Sequence, residues 1–297
     1  MTRRSPLRRL RTATLSLILL AGALAAPTSA LATEDDGPRF NPIEEFLLEP
    51  WVDLPFGLDI TKAVVYLWIA AAVAVLVTLW IVRGGLRVQS GRTQAVVEIL
   101  YGFLETNVGR ATLPAKVYTR WFPYIAALFV FIWTLNLISF VPLPFDTHNK
   151  VGFLPGFTIY AATSSISVTL ALALMTVFIS HYEGIRANGV GPYFKSWVPP
   201  SPGWLQPILV VLETLSQIVR VVSLSVRLFA NMLAGHLLIL LCVGFAILLG
   251  NYIGLVALPI AIAFYLLEVV LIASLQAYIF ALLSGIYIGG AIEPAHH

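Results

Sequence analysis

The chain has 297 residues, of which 59% are hydrophobic and only 11% are charged. A water-soluble protein of this length needs a surface much richer in charged side chains, so the composition predicts an integral membrane protein. The formal net charge of +3 does not indicate a nucleic-acid partner, because five of the eighteen basic residues lie within the first eleven positions. No nucleic acid is therefore expected to bind.

Residues 1 to 32 have the pattern of a cleavable secretory leader. A basic segment at 3 to 11 precedes an apolar stretch at 13 to 26, and the sequence ALA at 30 to 32 is typical of a cleavage site. After cleavage thirteen basic residues remain against fifteen acidic ones, which gives a net charge of about −2. The alternative is a first helix that is retained as an anchor.

The segment from 33 to 62 is acidic, with eight carboxylates and one arginine, as expected outside the cytoplasm. Runs of about 20 apolar residues then predict membrane crossings at 63–82, 121–141 and 158–180. The positive-inside rule assigns the loop between the first two crossings to the cytoplasm. Its basic residues are Arg83, Arg87, Arg92, Arg110, Lys116 and Arg120. This orientation places the mature N-terminus outside.

Within that loop, residues 93 to 109 have apolar side chains at helical spacing and predict an amphipathic helix on the membrane surface. An ordinary helix in a cytoplasmic loop explains the same spacing, so both interpretations stay open. After the third crossing, Arg186 and Lys195 indicate a second cytoplasmic loop, which keeps the alternation of sides.

The C-terminal part contains two longer apolar stretches, at 205–249 and 252–290. At 1.5 Å per residue the first would be about 68 Å long, twice what a crossing requires. It either folds into two crossings near Gly235 or forms one steeply tilted helix. Residues 236–249 would span only about 21 Å, which favours the single helix. The predicted fold is an all-α membrane domain at 63–297 with five inserted helices, the last two long and tilted, plus the surface helix.

Polar side chains form a stripe on the first long helix. At 100° per residue its members occupy a sector about 80° wide over five turns, with Ser223 at the edge. They are Glu213, Gln217, Arg220, Arg227 and Asn231. His236 falls on another face, about 140° from Glu213. In the last stretch Glu268 and Gln276 are eight residues apart, two turns plus about 80°, so in a regular helix they need not face one partner.

Ionisable side chains at membrane depth cost about 2.5 to 3.5 kcal/mol each on insertion scales and therefore need a reason. Glu213 and Arg220 can neutralise each other. Arg227 has no acid three or four residues away, so its partner is Glu268, another helix or another subunit. Arginine stays protonated in proteins, so Arg227 can only bias the protonation of a neighbour, whereas glutamate and histidine exchange protons themselves.

The sequences SLSVRLFANMLAGHLL and LQAYIFALLSGIYIG, with NLISFVPLP at 136–144 and Glu213, closely resemble subunit a of rotary F-type ATP synthases. The resemblance extends from about residue 40 to the end. It implies a stator subunit with two offset half-channels for protons, set against a rotor ring of hairpin subunits that each bear one membrane carboxylate. Arg227 would then be the essential arginine facing that carboxylate, with Asn231 beside it and Gln276 near it on the last helix.

The resemblance also implies roles for the remaining polar residues. His236 occupies a position where relatives carry Glu or His in the outer half-channel, and Glu213 would help line the cytoplasmic one. Glu268 is a candidate for the outer half-channel, but relatives often place an acid or histidine seven residues before the glutamine, whereas Glu268 is eight before Gln276. Gln217, Arg220 and Ser223 would support the stripe.

Further expectations follow from the same resemblance. The partners would be the rotor ring, peripheral stalk subunits, a soluble ATPase sector, protons and the lipid bilayer of a bacterial plasma membrane, with the C-terminus in the cytoplasm. No cofactor, metal or nucleotide site is expected on this chain, which lacks a GxxxxGK[ST] loop. Protons are favoured over sodium as the coupling ion. The alternative function is a secondary ion-coupled transporter, which typically has inverted repeats and paired broken helices.

Overall fold

The computed structural model describes residues 50–52, 60–83, 91–141, 143–151, 154–158, 160–197, 202, 204–248 and 251–293. The predicted leader and most of the acidic segment after it lie outside these residues. The helices in chain order are α1 (Lys62–Arg83), α2 (Arg92–Leu104), α3 (Ala115–Ile138), α4 (Ile166–Asn188), α5 (Val190–Ser196), α6 (Gln206–Leu248), α7 (Asn251–Leu267) and α8 (Ala273–Ile292).

Shorter elements connect these helices. A π turn at Glu105–Gly109 and a helical turn at Arg110–Thr112 continue α2, a second π turn at Glu268–Ile272 joins α7 to α8, and a 3₁₀ turn occupies Ala162–Ser164. Two antiparallel hairpins precede α1 and α4. They pair β1 (Pro50–Val52) with β2 (Ile60–Thr61), and β3 (Leu143–Val151) with β4 (Leu154–Thr158).

Five helical segments of the described chain are long and apolar enough to cross a membrane, which confirms an all-α membrane part. They are Lys62–Trp80, Ala115–Ile138, Ile166–Asn188, Gln206–Gly244 and Leu258–Ile292. The third crossing, α4, differs most from its predicted range, 158–180. The first residues of that range form the end of β4 and the 3₁₀ turn instead, and the helix extends to Asn188, where it is followed by Gly189, whose φ of 81° suits a glycine after a helix.

The long apolar stretch after residue 205 forms one uninterrupted helix of 43 residues, α6. Pro207 lies in its first turn, where the missing N–H costs no intrahelical hydrogen bond. Gly235 lies inside the helix without a break. A helix of this length measures about 65 Å, so it can fit a hydrocarbon core about 30 Å thick only when strongly inclined.

The centre of the bundle is α8, which packs against α3 on one side and α4 on the other. Fully buried apolar side chains fill these contacts, for example Ile125 and Ile132 of α3 and Phe280 of α8. α1 packs on the outer side of α3, and α6 packs against both α4 and α7. Two polar side chains of α6 also reach α8, Arg220 at Tyr287 and Asn231 at Gln276.

Contacts between helix ends define two ends of the bundle. At one end Tyr66, near the start of α1, lies 5.7 Å from the ring of Tyr160, which follows β4. At the other end Asn188 donates hydrogen bonds to the carbonyl oxygens of Ala291 and Ile292 at the end of α8. The hairpins therefore lie at one end, and the ends of α4 and α8 lie at the other.

α2 covers the second end of the bundle. Val108, in the π turn that follows α2, is fully buried, whereas Val96 and Ile99 are 66% and 73% exposed. The chain after this π turn fits closely against α8, because a Cβ added at Gly289 would meet the backbone oxygen of Thr112. The predicted amphipathic helix thus forms with one side on the protein and its exposed side partly apolar.

Candidate functional site

The first half of α6 carries a connected set of polar side chains. Gln217 donates a 2.7 Å hydrogen bond from Nε2 to Oε1 of Glu213 and accepts a 3.3 Å bond from Nη1 of Arg220. Nη2 of Arg220 lies 3.9 Å from the same Glu213 oxygen. These spacings follow from the helix, since residues three, four and seven apart share a face. The expected pairing of Glu213 with Arg220 is therefore present, bridged by Gln217.

Residues from other helices surround this set. The guanidinium of Arg220 lies 5.5 Å from the ring centre of Tyr287 on α8. Tyr193 of α5 and His181 of α4 are 2.7 Å apart, hydroxyl to Nδ1, and both lie within electrostatic range of Arg220. Burial raises the pKa of the Tyr193 hydroxyl, so it stays protonated and can donate to Nδ1 of His181.

His181 and Tyr193 were not among the site residues predicted from the sequence. The available signal was a histidine at the polar end of a predicted crossing and a tyrosine in the following loop. That signal is weak, because these side chains come near Arg220 only through the packing of α4 against α6 and of α5 against α4. Their position makes them neighbours of the polar stripe rather than members of it.

Arg227 lies midway along α6 and differs from Arg220 in having no acidic partner in the described part of the chain. Among the described residues its guanidinium contacts only the hydroxyl of Ser223, at 3.4 Å, and forms no ion pair. Of the partners left open by the sequence, Glu268 is excluded in this structure because its carboxyl contacts His236 instead. The remaining candidates are groups outside the described chain, such as another subunit.

One turn further along α6, Asn231 contacts the last helix. Its Nδ2 donates a 2.9 Å hydrogen bond to Oε1 of Gln276, which is 3% exposed. The resemblance placed both residues near Arg227, and the structure shows them joined. This hydrogen bond joins α6 to α8 one turn away from Arg227.

His236 and Glu268 form a buried pair at the next turn. Their side chains are each 2% exposed, and Nδ1 of His236 lies 3.2 Å from Oε1 of Glu268 and 3.1 Å from the backbone oxygen of Met232. The ring of His236 also packs against Phe140, at a centroid distance of 4.7 Å. The carboxyl of Glu268 fits over Gly235, where an added Cβ would collide with it.

The hydrogen bonds indicate where the proton on His236 lies. A carbonyl oxygen can only accept, so the contact with Met232 places the proton on Nδ1. Nε2 of His236 and Oε2 of Glu268 are buried and have no hydrogen-bond partner among the residues that the structure describes. Buried polar atoms without partners are costly, so these two atoms are suited to exchange protons with water or an incoming group.

Residues of α3 hold the helix that carries Glu268. Nε1 of Trp133 donates a 3.0 Å hydrogen bond to the hydroxyl of Ser274. The fully buried amide of Asn136 bonds the backbone oxygen of Ala273 at 3.5 Å and accepts from Thr163 at 3.1 Å. Asn136 was noted from the sequence only as part of the motif NLISFVPLP, and no separate role was predicted for it. A polar amide inside a predicted crossing was the signal for its role.

The ionisable groups are therefore distributed on two sides of Arg227 along α6. Glu213 lies about 21 Å before it and His236 about 14 Å after it, at 1.5 Å per residue. Within the described residues no group of three His, Cys, Asp or Glu side chains could hold a metal ion. The chemistry that these residues can perform is the binding and release of protons around a fixed positive charge.

Fold and site together define a multi-pass membrane protein with ionisable side chains on both sides of a central arginine. The family model described as ATP synthase A chain matches residues 64–289. The chain is 36% identical over 248 residues to ATP synthase subunit a of Rubrobacter xylanophilus, covering 81% of this chain and 88% of that protein. It is 36% identical over 270 residues to ATP synthase subunit a of Bradyrhizobium diazoefficiens, covering 87% and 100% of the two chains, and of Dinoroseobacter shibae, covering 90% and 100%.

The chain therefore belongs to the ATP synthase A chain family. It is a membrane-sector subunit of a proton-translocating ATP synthase and forms part of that complex. The alternative function considered from the sequence, a secondary ion-coupled transporter, is therefore not supported.

Proposed function

We propose that this subunit passes protons to and from the carboxylates of a rotor ring through two offset half-channels. The outer half-channel contains the pair of His236 and Glu268, and the cytoplasmic one contains Glu213. Arg227 stands between them, beside the amide pair of Asn231 and Gln276. The observation that carries this proposal is the free guanidinium of Arg227, which has no acidic partner among the described residues.

The fixed charge of Arg227 determines the direction of proton transfer. Arginine remains protonated, so a ring carboxylate that comes close to it is stabilised in the charged form and loses its proton to the cytoplasmic side. A carboxylate protonated from the outer side is neutral and can enter the lipid, where a charged one is costly. Each proton that moves down a potential of 100 mV supplies about 2.3 kcal/mol, so several protons are needed for one ATP.

Arg227 has a second effect on the same path. Its positive charge repels a proton that would pass from one half-channel to the other without the ring. Along α6 the two groups of proton-exchanging residues are about 35 Å apart in total, which leaves room for two separate entrances. Rotation of the ring is then the only route between them.

The proposed orientation places the N-terminus outside a bacterial plasma membrane and the C-terminus in the cytoplasm. The basic loop that contains α2 and the basic end of α4 lie at the bundle end where α8 finishes, in agreement with the positive-inside rule. The partners are the rotor ring, peripheral stalk subunits and, through the complex, the soluble ATPase sector. This chain itself is non-catalytic and binds no nucleotide.

The direct test is Arg227→Ala in the assembled complex. We expect the complex to form in normal amounts, while ATP-driven proton pumping and ATP synthesis fall to the level of membranes without it. The matched control is Arg110→Ala, which removes an exposed arginine that pairs with Glu105 near α2. Pumping by Arg227→Ala at the rate of Arg110→Ala contradicts the proposal.

A further inference from the structure

The last two helices are joined by a π turn rather than by regular α-helix. The backbone N–H of Ala273 donates to the oxygen of Glu268, five residues earlier, instead of the four of an α-helix. Residues on both sides, α7 and α8, have α-helical geometry. The π turn therefore begins at Glu268 and ends before Gln276, two residues whose polar side chains contact polar side chains of α6.

A π turn takes in one more residue than an α turn. In an unbroken α-helix Glu268 and Gln276, eight residues apart, would point about 80° away from each other. With one residue absorbed by the π turn, the spacing is equivalent to seven residues and the difference falls to about 20°. Both side chains then face α6, where Glu268 contacts His236 and Gln276 contacts Asn231.

Tertiary contacts hold the chain on each side of this turn. Before it, Tyr265 donates to the backbone oxygen of Phe140 at 3.3 Å. After it, Ser274 accepts the 3.0 Å bond from Trp133. Because both sides are fixed, the surplus residue has to remain between them.

The surplus residue is accommodated on an exposed surface of the helix. Val270 and Leu271, within the π turn, are 67% and 56% exposed. Neither side chain belongs to the buried clusters of the bundle. If Val270 or Leu271 were deleted, a continuous α-helix could still direct Glu268 and Gln276 to the same contacts.

We propose that the π turn at Glu268–Ile272 is a positioning element that absorbs one surplus residue and thereby directs Glu268 towards His236. Its effect on proton transfer rests on the proposed function, whereas its effect on geometry does not. The turn acts through Glu268 and has no chemical step of its own.

Three single-residue deletions test the proposal, each of which removes an exposed apolar side chain. Deletion of Val270 or Leu271 shortens the π turn to an α turn. Deletion of Leu266, which is 55% exposed and lies in α7, is the matched control. The control must lose either the contact of Tyr265 with Phe140 or that of Glu268 with His236, because no surplus residue lies between Tyr265 and Glu268.

The readouts are the amount of assembled complex, ATP-driven proton pumping and a structure of each assembled variant. Deletion of Val270 or Leu271 should keep pumping within about twofold of the parent, because the contacts on both sides are preserved. Deletion of Leu266 should lower pumping about tenfold or more, since small displacements of reacting groups are costly. The structure of the Val270 variant should show a continuous α-helix with Glu268 still on His236.

The proposal is overturned if the Val270 and Leu271 deletions lose pumping or assembly as severely as the Leu266 deletion. A rotated Glu268 in the structure of the Val270 variant overturns it as well. Arg227→Ala, measured in the same membranes, tests the proposed function separately. Normal pumping by that variant contradicts the proposed proton path. The structure of the Val270 variant still tests the role of the π turn, because it does not depend on the pumping result.

Discussion

Arg227 is distinguished from the other ionisable residues by what surrounds it. Arg220 has Glu213 and Gln217, and His236 has Glu268, whereas Arg227 has only a distant hydroxyl in the described chain. The sequence indicated this difference, because no acid lies within one turn of Arg227. The contact of Glu268 with His236 could not be predicted from the sequence. The prediction assumed a regular 100° per residue, and the segment contains a π turn.

Gly235 is required for the buried pair. A Cβ at this position would overlap the carboxyl of Glu268, which would have to move away from His236. We therefore expect Gly235→Ala to reduce ATP-driven pumping about tenfold in a complex that still assembles. The control is Gly290→Ala in α8, where nothing lies within 4 Å of the added Cβ. Equal pumping by the two variants would show that the position of Glu268 does not matter.

At the scale of elements, helix length was predictable and helix ends were not. The length of the stretch after residue 205 and the shortness of 236–249 favoured one long helix, and α6 is continuous. The start of α4 was not predictable from apolarity, since the predicted crossing began at residue 158, where β4 ends, and a 3₁₀ turn still precedes the helix. The residues directly after the π turn are bonded by Trp133 and Asn136 of α3, and the pattern within the segment itself did not predict these contacts.

The close contact between α8 and the chain after α2 requires a glycine at position 289. A Cβ at Gly289 would meet the backbone oxygen of Thr112, and a backbone atom cannot rotate aside. Gly289→Ala should therefore destabilise the subunit by about 1 to 3 kcal/mol, the usual cost of overpacking. Thermal unfolding of the purified complex measures this, with Gly290→Ala as the neighbouring control. Identical midpoints for the two variants would mean that the fit is loose.

At the scale of the whole molecule, the two ends of the bundle agree with the charge pattern of the loops. The hairpins lie at one end, in segments that are acidic or poor in basic residues. The basic loops lie at the other end, beside the end of α8. The sequence could predict this alternation because it depends only on the number of crossings and the position of basic residues. The order in which the helices pack, with α8 between α3 and α4, came only from the structure.

Cysteine labelling tests the proposed orientation. In a Cys242→Ser background, Ala187→Cys places a thiol at an exposed position near the end of α4, and Val141→Cys places one after α3, where the side chain is 49% exposed. A membrane-impermeant maleimide should label residue 187 only from the cytoplasmic side and residue 141 only from outside. The reverse pattern, or labelling of both from one side, would contradict the proposed topology.

The central claim is that the guanidinium of Arg227 is kept free of acids in its own chain so that it can meet the carboxylates of a rotor ring. An experimental structure of the assembled complex measures this directly. We expect the guanidinium to face the ring and to lie within about 3 Å of a ring carboxylate, or one water molecule further away. An Arg227 that points into lipid, or that pairs with a carboxylate of this subunit away from the ring, would contradict it.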